Sequence, residues 1–147
     1  MSEATRRRAL SIARTFCGTP YRHQGSRKGV GCDCLGLIRG VWRELYGQEA
    51  EAPGAYSADW AETGGRDRLL EAARRHLRPL ETAEAQPGDV LLFRWRRVAP
   101  AKHCGIIDDG GRLFHAYEGA AVVSSVLTPG WSRRIAGAFS FPDPTEA

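Results

Sequence analysis

The chain holds no apolar run approaching the ~20 residues that a membrane-spanning helix needs, so nothing in it is expected to insert into a bilayer. Cysteine is scarce, with four in 147 residues. That count is too low for a disulfide framework in a chain long enough to bury its own core. The closest pair, Cys32 and Cys34, is separated by one residue. Structural zinc sites usually leave two to four between paired ligands, which argues against a metal set built from these thiols with His103 or His115. No internal repeat and no low-complexity tract is present. A secretory signal is missing from the given N-terminus. Arg6-Arg7-Arg8 resembles a positively charged leader, but Arg14 interrupts the apolar segment behind it. The arginines form no long stripe and accompany no recognition motif, which leaves nucleic acid a poor partner.

What is present fits one domain over residues 1–147, 42% apolar with a net charge of +4. Residues 1–44 hold nine Lys/Arg against three Asp/Glu, residues 45–89 five against nine, and residues 90–147 seven against five. The periodicity predicts helices first. Ala9, Ile12, Ala13 and Phe16 mark one over about 3–16. Leu35, Ile38, Val41, Trp42 and Leu45 recur at three and four residues and mark a second over about 34–46, stopped by Gly47. Leu69, Leu70, Ala73 and Leu77 mark a third, ended before Pro79. From Val90 onward the pattern is strands, near 90–95, 104–108, 112–117, 121–127 and 135–141. Helices followed by antiparallel strands make an α+β domain. Gln48–Gly65 reads as a surface excursion, in which Trp60 either rims a cleft or anchors the loop. Residues 142–147 read as a frayed tail. Cys17 and Cys104 read as packed thiols.

One stretch carries chemistry. Asp33-Cys34-Leu35-Gly36-Leu37 stands where a glycine-rich loop feeds the second helix. The positive end of a helix favours thiolate over thiol, so a cysteine there can act as a nucleophile, although a lone thiol also serves as ordinary core packing. A catalytic thiol needs a base, and the base needs an orienting group. His103 begins one predicted strand, Asp109-Gly110-Gly111 turns the chain, and His115 lies on the return strand. Neighbours across such a hairpin lie about 5 Å apart. Each histidine alone reads more readily as an ordinary strand residue than as a catalytic one; with Cys34 the three make a candidate triad.

These segments resemble the NlpC/P60 family of cell-wall cysteine peptidases, which have a papain-like fold. The resemblance runs over about residues 5–141. Gly18-Thr19-Pro20-Tyr21-Arg22 precedes the loop, and Asp33-Cys34-Leu35-Gly36-Leu37 opens the helix. Gln86-Pro87-Gly88-Asp89-Val90-Leu91-Leu92-Phe93 matches the family's Pro-Gly-Asp strand. His103-Cys104-Gly105-Ile106 and Phe114-His115-Ala116 match its histidine segments, in the family's order. The resemblance implies Cys34 as nucleophile, His103 as base and His115 as orienting residue. It further implies that Tyr21 and Asp33 contribute to the substrate pocket, and that no metal or cofactor takes part. Two positions depart from the usual pattern: Leu35 stands where many members have Ser, and His23-Gln24-Gly25 stands where many have Trp-Gly-Gly.

The implied activity is hydrolysis of peptidoglycan stem peptides or cross-links, favouring the bond between D-glutamate and a diamino acid. Stem peptides are rich in carboxylates, and the basic segments that carry the triad would favour their approach. The same triad would also serve an amidase or acyltransferase, and a structural tail-tip protein with a vestigial site is a third reading. The motifs look most like those of peptidases from phage tail modules and gene transfer agents. That likeness implies synthesis in the cytoplasm without a signal peptide and carriage in a virion-like tail to the periplasmic wall. Tail-tip or baseplate proteins would be the partners, with the acidic middle segment and the Trp60 region as docking surfaces.

Overall fold

A computed structural model describes residues 2–51, 67–97, 99–116 and 119–145. Helix α1, Glu3–Thr15, starts at Ser2, whose hydroxyl accepts the Thr5 amide. Its apolar stripe, Ala9, Leu10, Ile12 and Ala13, is buried. A two-stranded ribbon follows, β1 Ser26–Arg27 and β2 Gly31–Cys32. Helix α2, Cys34–Tyr46, ends at Gly47, which takes the left-handed conformation at φ 82°. Helix α3 spans Arg68–His76 and leads into β3, Arg78–Leu80. The remaining strands are β4 Val90–Phe93, β5 His103–Asp108, β6 Arg112–Ala116, β7 Val122–Val126 and β8 Ile135–Ser140. A single-turn helix α4, Pro129–Ser132, joins the last two.

The long strands form one antiparallel sheet in the order β3-β8-β4-β5-β6-β7. Alternation gives it two apolar faces. Val90, Leu92, Cys104, Ile106, Phe114 and Phe139 pack against the helices in the main core. Leu91, Phe93, Leu113 and Ala138 point the other way, under Trp131, Ile135 and Leu80. The α+β architecture, with N-terminal helices on an antiparallel sheet, is therefore as the pattern of the chain implies.

Several details differ from the expectations. Pro79 lies in a strand rather than just stopping a helix. It sits on the sheet edge, paired only with β8, where its missing N–H costs no ladder bond. Cys17 is exposed, because α1 ends at Thr15 and the chain turns outward there. The start of the supposed tail is tied down. Asp143 accepts hydrogen bonds from the Ser2 amide and from the Ser2 and Thr5 hydroxyls at 3.1, 2.8 and 2.6 Å, and the Pro142 carbonyl accepts Tyr46 Oη at 2.6 Å. A carboxylate at the positive start of α1 meets donors that the last turns of sequence do not reveal. Most of the Gln48–Gly65 excursion, with Trp60, lies outside the described residues.

Candidate active site

Asp33 makes the nucleophile's position. Its buried carboxylate accepts the Gly36 amide at 2.7 Å, capping α2, and the Gln24 amide at 2.8 Å, fixing the preceding loop. Gln24 has φ 65°, a left-handed conformation that glycine adopts most readily. Gly36 is required by contact: a Cβ there would lie 1.8 Å from the Gly25 carbonyl oxygen. Cys34 consequently occupies the first position of α2, half-buried and facing the start of β5. Tyr21 is brought beside Cys32 by an isolated parallel bridge and packs against the main core near the same helix end.

His103 and His115 meet, but not as directly opposed residues. The register Ile106↔Phe114 sets His115 beside Gly105, two positions from His103 along β5. The pair is diagonal, on one face of the sheet, and long rings close the gap. His103 Nε2 and His115 Nδ1 are 2.9 Å apart, and both residues are buried. On the other side of His115, Nε2 lies 2.7 Å from the Ser125 hydroxyl on β7.

Cys104 alternates to the opposite face from His103, toward α2. Its thiol donates to the Cys34 carbonyl at 3.3 Å. The Cys34 thiol is held well below the ordinary cysteine range, first by a hydrogen bond from Cys104, then by a hydrogen bond and positive charge from His103, with burial opposing. Cys104 is pushed up correspondingly, as the donor to Cys34 and by its own burial. Cys32 is pushed up to about 12, chiefly by burial and then by Asp33. Cys17 is raised by partial burial and by Asp108. Of the four thiols, only Cys34 is shifted toward thiolate, the reactive form. His115 is lowered to about 4 by burial and then by the charge of His103, so it stays neutral at physiological pH.

Aromatic rings enclose the imidazole pair. Trp95 stacks on His103 with centroids 5.8 Å apart and planes at 22°. Trp131, on α4, sets its edge against His115 at 5.6 Å and lies 5.4 Å from His103. Such rings exclude water and attract a cationic imidazole. From the sequence alone Ser125, Trp95 and Trp131 are not singled out, and Cys104 reads as a packed thiol. Ser125 had a usable signal, since alternation on β7 puts it on the same face as Val123, the partner of His115. The tryptophans had none, because Trp95 follows β4 and Trp131 lies on the single-turn α4, and the placement of both segments depends on the whole sheet. Among the described residues no group of three or more His, Cys, Asp or Glu side chains could hold a metal ion.

The arrangement is suited to a thiolate attack on a carbonyl, with a neighbouring imidazole to move the proton and a second imidazole to steady the first. Known proteins share its frame. The murein DD-endopeptidase MepH of Escherichia coli is 27% identical over 123 residues, which cover 82% of this chain and 40% of that protein. The chain thus spans well under half the length of this relative. Among solved structures, the NlpC/P60 domain of the peptidoglycan hydrolase SagA superimposes with a TM-score of 0.62 at 22% identity, covering 92% of this chain and 98% of that one. An NlpC/P60 family protein from Bacillus cereus gives 0.65 at 20% identity, covering 92% and 40%. These two likenesses concern the fold. The model of the NlpC/P60 family matches residues 18–140, most of the chain and all of the site just described, and the chain belongs to the NlpC/P60 family.

Proposed function

We propose that this protein is a cysteine endopeptidase that hydrolyses peptide bonds of bacterial peptidoglycan. The observation that carries the reading is that Cys34, of the four thiols the one shifted toward thiolate, owes part of that shift to His103, whose Nε2 stands 2.9 Å from His115 Nδ1. Cys34 sulfur attacks the scissile carbonyl and forms a tetrahedral oxyanion. The Cys34 amide at the mouth of α2 is a donor to that oxygen, and one such donor is worth about 3 kcal/mol in other acyl-transfer enzymes. His103 gives its proton to the leaving amine, and a thioester remains on Cys34. His103 then takes a proton from water, whose oxygen attacks the thioester, and the acid product leaves with the thiolate restored. His115 holds the imidazole and stabilises its charged form. Tyr21 and Asp33 line the substrate pocket in this reading, Asp33 chiefly by holding the loop and helix start that shape it. No metal or organic cofactor enters these steps.

The favoured bond joins D-glutamate to a diamino acid in the stem peptide. MepH is named a murein DD-endopeptidase, so a cut at a DD bond is the alternative. An amidase or acyltransferase on the same triad differs in the nucleophile that resolves the thioester. Digestion of purified peptidoglycan with mass spectrometry of the products separates all of these. New amino and carboxyl ends in a stem peptide, absent with Cys34→Ser, support the endopeptidase; release of intact stem peptides from the glycan would replace it with an amidase. Delivery in a phage-like tail, docked on tail-tip or baseplate proteins, is supported by the likeness of the motifs to tail-module peptidases. Proteomics of purified particles from the producing strain tests it, and absence of the chain from them would leave cell lysis or wall turnover as its setting.

A further inference from the structure

Ser125 stands at the outer end of the imidazole pair, with its hydroxyl 2.7 Å from His115 Nε2. The proton balance of the site decides what that contact does. When Cys34 passes its proton to His103, the resulting imidazolium carries N–H groups on both ring nitrogens. Its Nε2–H points at His115 Nδ1, 2.9 Å away. That nitrogen must then offer a lone pair. His115 is neutral, lowered to about 4 by burial and by His103, so it has one N–H to place. With Nδ1 bare, that proton sits on Nε2 and faces Ser125. The opposite tautomer would press two N–H groups together at the same 2.9 Å and disfavour the charged His103.

We propose that Ser125 is a positioning residue that sets the tautomer of His115, by accepting the Nε2 proton and so keeping Nδ1 open toward His103. A hydroxyl can do this because it accepts and donates at once, and its own proton turns elsewhere. The role differs from that of a carboxylate orienter: it adds no charge, so Ser125 acts through the placement of one proton. The register makes the contact specific. Val123 is the residue opposite His115, and Ser125 reaches it diagonally from the same face of β7. The inference rests on the thiol-peptidase reading of the site, but its test does not use peptidoglycan.

The ring nitrogens of His115 in the full chain, labelled with 15N-histidine, report the tautomer directly at neutral pH. The wild type should show a protonated Nε2 and an unprotonated Nδ1. Alkylation of Cys34 by iodoacetamide, followed from pH 5 to 9, reports how readily the thiolate and charged His103 form. In Ser125→Ala the tautomers should mix, and the alkylation rate near pH 6 should fall about 3- to 10-fold, the range expected for loss of one hydrogen bond. Ser125→Thr keeps the hydroxyl and should restore both. A wild-type His115 protonated on Nδ1 would overturn the assignment, and so would an unchanged tautomer and alkylation profile in Ser125→Ala. The wild-type spectrum needs no variant, so it decides even where Ser125→Ala does not fold. A chain inert on peptidoglycan but with the expected tautomer and profile would sink the peptidase reading and leave the role of Ser125 standing.

Discussion

Four cysteines lie in this chain, and their surroundings separate them. Cys34 is lowered, whereas Cys32, Cys104 and Cys17 are raised. Iodoacetamide near pH 7 should therefore label Cys34 first, with exposed Cys17 following slowly, and peptide mapping by mass spectrometry reads the order. Cys34→Ser should remove activity while leaving the melting transition in place, since a serine hydroxyl ionises far less readily. Cys17→Ser and Cys32→Ser should retain most activity; the reverse pattern would move the nucleophile to Cys32. For the orienting residue we expect activity to fall in the order wild type, His115→Asn, His115→Ala, His103→Ala, because an amide still accepts a hydrogen bond and a methyl does not. His115→Ala equal to wild type would reduce His115 to a strand residue. The pH dependence has a definite sign. His115 is lowered from 6.5 to about 4, so between those values the unfolded chain binds a proton that the folded chain refuses. Its contribution to stability is complete above pH 6.5 and is lost as pH falls toward 4, by up to ~1.4 kcal/mol per pH unit. Urea midpoints measured from pH 8 to 4 in wild type and His115→Asn should converge on the acid side.

At the scale of elements, the Pro-Gly-Asp segment ties helix to sheet. Gly88 has φ 95°, and a Cβ there would lie 2.2 Å from the Arg6 carbonyl oxygen. Asp89, fully buried, meets Arg6 Nε at 3.1 Å, the Gln86 amide at 2.9 Å and the Ser140 hydroxyl at 2.6 Å. One carboxylate thereby joins α1, the turn before β4, and β8. Asp89→Ala would leave Arg6 without its charge partner in a mostly dry setting, at a cost of about 3–5 kcal/mol. Arg7→Ala, by contrast, breaks only an exposed pair with Glu3 and should change stability by under ~0.5 kcal/mol. Urea denaturation of the two variants checks the difference, and equal midpoints would show the Asp89 cluster to be energetically idle. Gly36→Ala should act locally, forcing apart the α2 start and the Gly25 carbonyl, and so lower activity more than stability.

For the whole molecule, the chemistry proposed is that of a thiol and two imidazoles carried between a helix end and a sheet. Dialysis against a chelator should leave activity on peptidoglycan unchanged, and stoichiometric zinc with activity lost on its removal would replace thiol chemistry by metal chemistry. The sheet order matters to this proposal. With β5 and β6 near the end of the sheet, and β7 beyond them, three strands supply His103, His115 and Ser125 in a row, while α2 delivers Cys34 across the start of β5. Activity thus depends on the docking of α2 against β5. Mild denaturant should abolish rapid Cys34 alkylation in step with loss of the fold, and rapid alkylation that outlasts unfolding would show that the helix end alone activates the thiol.

Much of the fold was legible along the chain. The three- and four-residue spacing of Leu35, Ile38, Val41, Trp42 and Leu45 specified α2, and runs such as Val90–Phe93 specified strands, because local periodicity and burial are linked by backbone geometry alone. Cys34, His103 and His115 could be singled out because the thiol heads a helix and the histidines flank one hairpin, both local relations. The tertiary structure decided what depends on register and on loop paths. It set the diagonal approach of the two imidazoles, the hydrogen bond from Cys104 to its neighbour on α2, the closure of Trp95 and Trp131 over His103, and the anchoring of Asp143 to the start of α1. Each of these joins residues distant in the chain, and a one-residue slip of any strand would turn the same side chains to the other face.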